Sequence, residues 1–439
     1  MKDILGLEVT GADAGSLETY HQALAGLQCF VGDPVARLNS TLAARPDFVM
    51  AHVLKGYLFA LSTEAAAAET ARKAAAAAQA LAANQREARH VGALSALAAG
   101  RWHEAGGMLA ALTRDHPRDV LALQVGHQID FFTGSSVMLR DRIAAALPAW
   151  DATMPGFHAI LGMHAFGLEE NADYARAEAE GRRALELEPR DGWAHHAVAH
   201  VMEMQCRQRD GIAWMRDNVD NWSADSFLKV HNWWHLALYH YELGEADEVL
   251  ALYDGPIYGS RSTLALNMVD ASAILWRLHL GGVDAGERWG TLADNWQAAR
   301  PGGHYAFNDV HAAMAFVGAG RWRDLDALVE AQEAALAGAG DNVVFTRDVG
   351  HPATLAIVAF GRGDYAAATR HLLPIRKLAS RFGGSHAQRD VLELTLIEAA
   401  IRAGENELAG LLTAERQSAR AHSPLSGLFA ARAAKLSAT

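Results

Sequence analysis

The sequence predicts an all-α protein, a solenoid of helical hairpins wound into a right-handed superhelix. Three observations predict it: segments recur with the same residue types at the same offsets, strand signals are almost absent, and helix formers dominate a chain that is 51% apolar. At 439 residues the chain is long enough for two or three domains or for one extended repeat array. No break has the composition of an interdomain linker, so residues 1–439 read as a single continuous solenoid, with 432–439 expected as a frayed tail.

The recurrence carries most of this reading. Gly100-Arg-Trp102-His-Glu-Ala105 is followed by Pro117, and Ala172-Asp-Tyr174-Ala-Arg-Ala177 by Pro189, with aromatic, alanine and proline at equal offsets. Weaker echoes start at Gly244, Gly320, Gly363 and Gly404, each with a small or aliphatic residue at the position of the alanine. In each unit a glycine or polar residue ends one helix, the next position opens another, and the alanine lets the two approach closely. Proline then stops the second helix. The unit resembles the tetratricopeptide repeat, a helix-turn-helix of about 34 residues. Breaks are expected at Pro148–Pro155, Gly255-Pro256, Pro301–Gly303, Gly338–Asp341 and Gly383-Gly384. The Ala-rich stretch from Glu64 to Ala83 reads as an outer helix.

Composition excludes several functions. No run of about 18 apolar residues is present, so no membrane span is expected. The opening MKDILGLEVTGADAG has neither a basic nor an apolar leader region, which predicts a cytoplasmic address. Cys29 and Cys206 form no framework and no metal-binding spacing. A formal charge of −12 without a Lys/Arg cluster argues against nucleic acid as a partner. Phosphate-binding, dinucleotide-binding, kinase and serine-hydrolase motifs are absent.

What stands out is histidine. The repeat register puts the first helix of each hairpin near 49–62, 86–99, 120–133, 157–168, 193–206, 228–243, 264–280, 305–319 and 351–361, and most of the 21 histidines fall on these helices. Side chains three, four or seven apart share a helix face. His196, His200 and Glu203 therefore form one stripe, and His231, His235 and Glu242 another. Neutral imidazoles at this spacing suit zinc or iron, with His196 and His200 as ligands if a metal is bound. Without a metal, His231 or His235 is the candidate base, and Asp270 or Asp309 the carboxylate that orients it. Asp270 lies mid-helix in an apolar segment and needs a buried partner, for which a histidine of the preceding inner helix is the natural source. Trp234, Asn308, His311, His386 and Arg389 are candidates for holding a substrate. The same residues equally describe a structural polar network, and the tryptophans equally describe packing between repeats.

Seven strings, REARHV, HPRDVLAL, WAHHAVAHVMEM, HNWWHLALYH, MVDASAILWRL, FNDVHAAMA and GGSHAQRDV, resemble the tetratricopeptide repeat protein 38 family from the first helices to near the C-terminus. The resemblance implies an all-helical repeat protein and brings no reaction with it. The sequence thus predicts a concave pocket lined by His, Asp, Asn and Trp that binds a small molecule and acts on it by histidine-centred, hydrolase-like acid/base chemistry. The alternative is a groove for a peptide of a partner protein, without catalysis, and a third reading makes the polar groups the internal glue of a scaffold.

Overall fold

The hairpins begin where the repeated residues place them. In the computed structural model, which describes residues 1–436, Trp102, Tyr174, Ala246, Trp322, Tyr365 and Asn406 are each the first residue of a helix. Three positions on, Ala105, Ala177, Val249, Leu325, Ala368 and Ala409 are all 0% exposed, the seats on which each hairpin closes. Pro117 and Pro189 follow the helices Trp102–Asp115 and Tyr174–Leu187. The nine expected inner helices appear as Val49–Ala60, Gln85–Ala98, Val120–Phe132, Phe157–Glu169, Gly192–Met204, Lys229–Glu242, Ala265–Leu280, Ala306–Gly318 and His351–Gly361. A further inner helix, His386–Ala403, follows the Gly383-Gly384 break. Among the described residues β structure is limited to two isolated bridges, so the fold is all-α and of the tetratricopeptide-like class. No described helix is long and apolar enough to cross a membrane.

One local expectation needs correction. Gly255-Pro256 does not break the chain cleanly: it lies in a wide turn, Tyr253–Ile257, continuous with the helix Ala246–Leu252. Residues Asp341–Phe345 and the wide turn Thr346–Gly350 lead straight into the helix that begins at His351, and Gly350 has helical angles (φ −61°, ψ −50°). The last helix, Pro424–Leu436, runs into the stretch expected to fray, and residues 437–439 lie outside the described ones.

Contacts divide the chain into two compact units, Met1–Val198 with Asn218–Lys229, and Ala199–Asp217 with the residues from Val230 onward. In the first unit, buried imidazoles reach the carboxylate that starts the next inner helix. His90 Nε2 meets Asp119 Oδ2 at 2.9 Å, Arg86 donates to the same oxygen at 2.6 Å, and Asp119 also accepts the Ala122 amide, capping its helix. His158 Nδ1 meets Asp191 at 2.8 Å, and Asp191 accepts the Trp193 and Ala194 amides. Burial acts to raise the Asp119 carboxyl, but His90, Arg86 and the capped amide outweigh it and hold it below the usual carboxylate range. His127 is different: burial, reinforced by the positive Arg142, pushes it down to about 3. The neutral ring accepts the Trp193 indole N–H at 3.2 Å.

In the second unit the inner helices close on one another. Helix 265–280 packs on 306–318, that on 351–361, that on 386–403, and 386–403 returns to 265–280. The closing contact is hydrogen-bonded: the Trp276 indole donates to Thr395 at 3.0 Å, Arg277 to the Ala387 carbonyl at 2.6 Å, and Arg402 to the Leu280 carbonyl at 3.0 Å. The C-terminal helices then return to helix 229–242 and its neighbour, through Ser423 on Glu242 and Arg420 on the Met204 sulfur. Gly211 admits the ring of Tyr239 at this point, where an added Cβ would lie 2.3 Å from it.

Asp119→Ala leaves Arg86 and His90 buried without their anion and is expected to destabilise the protein by about 3–5 kcal/mol in denaturant unfolding, whereas a loss below about 1 kcal/mol would show the pair to be dispensable. A second expectation concerns acid. An unfolded histidine titrates near pH 6.5, so below that pH the unfolded chain takes up a proton that folded His127 refuses, and stability falls as the pH drops from about 6.5 towards about 3. His127→Gln, which keeps an acceptor for Trp193, should flatten that part of the stability profile in unfolding measured across pH.

Candidate functional site

Helix 229–242 presents His231, Trp234 and His235 at spacings that share a face. His231 Nδ1 lies 3.0 and 2.9 Å from the two oxygens of Asp270, in the first half of helix 265–280. The Asp270 side chain is 3% exposed and that of His231 14%, so the pair is buried with one edge of the imidazole reaching solvent. His235 Nδ1 meets Glu203 Oε2 at 3.2 Å. The His200 ring, one turn before Glu203, has its centroid 4.4 Å from that of His235, and His231 lies edge-on to His235 at 4.9 Å. Ring nitrogens of His200, His231 and His235 all fall within 4.8 Å of one another.

Behind the rings is an aromatic and cationic support. Trp234 stacks on His231 at 5.3 Å and 15°, and the Arg277 guanidinium sits over Trp234 at 5.3 Å. Trp234 is fully buried. It is a platform for His231 and not the ligand-facing wall the sequence reading made it, because both of its faces are taken by protein groups. Burial, with His200, His231 and the Arg277 guanidinium close by, pushes His235 well below the ordinary imidazole range. Burial also raises Glu203, against the pull of Arg420, His200 and Arg277. The His235–Glu203 contact is therefore drawn towards an uncharged pair.

These two carboxylates differ from Asp119 and Asp191 of the first unit. Asp119 and Asp191 cap helices, and the imidazole on each ties one repeat to the next. Asp270 and Glu203 sit inside helices whose amides are already bonded, and what they hold is imidazole.

A chamber of about 20 Å³, room for a single water, opens beside Glu203 and is lined by Arg277, Asp390 and Arg420 among others. A larger cavity of about 300 Å³ is lined by Leu372, Ile375, Lys377, His386, Arg389 and Asp390. Asp390 lines both. Burial would raise its carboxyl, but Arg416, at 2.6 and 3.0 Å, and Arg420 hold it below the ordinary range.

The other expected residues are placed as follows. Asp309 does not orient an imidazole: its carboxylate accepts the Gly302 and Gly303 amides at 2.9 and 3.3 Å and the Gln332 amide at 3.4 Å, and burial raises it to about 6. His311 donates from Nδ1 to the Phe307 carbonyl of its own helix at 2.8 Å, and burial lowers it to about 4. Asn308 is buried beside them. Arg389 donates to the Gly384 carbonyl and lies 3.4 Å from His386 Nδ1, so these two line the larger cavity away from the three rings. Of the two expected metal ligands, His200 joins His231 and His235, and His196, one helical turn before it, packs on Phe166 and Trp193 at 5.1 and 4.6 Å. Sequence reasoning missed Arg277, Arg416 and Arg420. The signal for Arg277 was a cation seven residues after Asp270 in an otherwise apolar helix.

No family model matches the chain. Solved structures similar to it include a human IFIT1 dimer with m7Gppp-AAAA (TM-score 0.42, 15% identity, 98% of this chain and 97% of that one). The APC/C hetero-tetramer Cut9–Hcn1 is similar at TM-score 0.38 and 12% identity over 87% of this chain and 76% of that one. Yeast Tom70 is similar at TM-score 0.35 and 12% identity over 97% and 96%. Likenesses this distant carry no argument about ligand or partner. The fold class stands on the hairpins themselves.

If His235 is held neutral as its surroundings dictate, its ring nitrogens should keep the 15N shifts of a neutral tautomer at pH about 6.5, where a solvent-exposed histidine is half protonated. A ring that titrates there with the exposed histidines would contradict the buried, positively flanked environment.

Proposed function

We propose that the second unit binds a small acidic molecule and acts on it by imidazole-centred acid/base chemistry of a hydrolase-like kind. The observation that carries this is the pairing of His231 with Asp270, a mid-helix carboxylate that caps nothing, with one edge of the imidazole open to solvent. A carboxylate in that position fixes the tautomer and supports the charge an imidazole gains when it takes a proton. The 300 Å³ cavity, with Lys377, Arg389 and His386 over an apolar floor of Leu372, Ile375 and Leu392, is of ligand size and suits an anionic group on an apolar body. The chamber beside Glu203, the partner of His235, shares Asp390 with it.

A peptide groove is the less supported reading here, since four inner helices of this unit close on one another. The net charge of −12 argues against RNA. The strings that resemble the tetratricopeptide repeat protein 38 family include HNWWHLALYH and MVDASAILWRL, the two that carry His231 and Asp270, and we read the chain as a member on that basis.

The test is a panel of small carboxylic and phosphoric acids, and of their esters and amides, screened by thermal shift and then for turnover. A true ligand at 100 times its Kd should add about 2.7 kcal/mol of stability. Arg389→Ala should abolish that gain. His231→Asn and Asp270→Asn should keep the binding and lower turnover by roughly 10²–10⁴-fold. Turnover unchanged in both variants, or no stabilisation by any member of the panel, would remove this reading.

A further inference from the structure

We propose that His200, His231 and His235 bind one divalent metal ion of the zinc or ferrous-iron type. The proposal rests on the reading of this cluster as an acid/base centre and names the cofactor class that would serve it.

Three geometric facts carry it. The first is convergence. His90 on Asp119 and His158 on Asp191 each bring one imidazole to a carboxylate, whereas here three rings turn towards one another, with nitrogens within 4.8 Å. A tetrahedral ion with metal–nitrogen bonds of about 2.0–2.1 Å holds its ligand nitrogens about 3.4 Å apart, so the rings need to close by roughly 1 Å, within reach of small side-chain rotations.

The second is the shell behind the rings. His231 is held through Nδ1 by Asp270 at 2.9–3.0 Å, and His235 through Nδ1 by Glu203 at 3.2 Å. A carboxylate on Nδ1 places the ring proton there and leaves Nε2 as the lone-pair nitrogen, the arrangement that supports imidazole ligands in metal sites.

The third is the chemistry of the donors. Imidazoles with no thiolate among them match borderline divalent ions of this type. The carboxylates of Asp270 and Glu203 stand behind two of the rings, and the edge of His231 that reaches solvent gives the ion a way in.

The experiment uses the full chain purified without chelator. Elemental analysis should find zinc or iron near one equivalent per chain. After chelation, titration with Co²⁺ should develop the ligand-field absorption of a low-coordinate nitrogen site, lost in His200→Ala and His235→Ala. Glu203→Gln and Asp270→Asn, which preserve shape, should weaken Co²⁺ binding about 10–100-fold, and they keep the test decisive should an alanine variant fail to fold. The proposal is overturned if the folded wild-type chain takes up none of Zn²⁺, Fe²⁺, Mn²⁺ and Co²⁺, or if folded His200→Ala and His235→Ala bind Co²⁺ like wild type. Full turnover by the chelated chain overturns the metal and leaves the acid/base reading standing. Stoichiometric metal without any turned-over small molecule supports the metal and overturns that reading.

Discussion

A charge between two packed helices has to be answered by another group, because removing it from water costs several kcal/mol. This chain places such charges between its helices and answers them across a helix boundary. Asp130 meets Arg142 at 2.6 Å in the first unit, and Glu398 meets Arg432 at 2.6 Å in the second. Each answer names a neighbour. Apolar helices of similar composition could slide or exchange places at small cost, but a buried carboxylate with one fitting cation tolerates a single register.

The same constraint sorts the histidine pairs. Where an imidazole meets a capping carboxylate, all three parties are accounted for: the amides are capped, the ring is bonded, and one repeat is tied to the next, as in His90 with Asp119 and His158 with Asp191. Glu203 and Asp270 hold imidazoles without capping anything, as Glu180 does for His164, so in these pairs the carboxylate serves the ring alone.

Much of the fold was legible because its signal is short-ranged. Aromatic and alanine offsets, glycine stops and proline terminators act within a single hairpin, and helices such as Val120–Phe132 and His351–Gly361 start where those residues dictate. The need of Asp270 for a histidine of the preceding inner helix was legible for a related reason: one face of a helix meets one face of its neighbour. Other parts were hidden. Asp309 had a nearer competitor for its carboxylate, the Gly302 and Gly303 amides, which a reading of helix faces ignores. Glu203 was grouped with histidines of its own helix, but its hydrogen bond goes to His235 on the next. The return of Arg420 and Ser423 to residues about 200 positions earlier leaves no periodic trace, and with it Arg277, Arg416 and Asp390 were out of reach.

Glu203 is where these strands of argument meet. It touches His235 on one side and lines the chamber shared with Arg277, Arg420 and Asp390 on the other. Burial raises its carboxyl while it lowers His235, so the pair is drawn towards its uncharged form. Arg416 and Arg420 hold Asp390, which lines the same chamber, below the ordinary carboxylate range. The C-terminal helices thus do more than close the unit: through Arg420 they bring a cation to the buried Glu203 and pull against the rise that burial imposes on it.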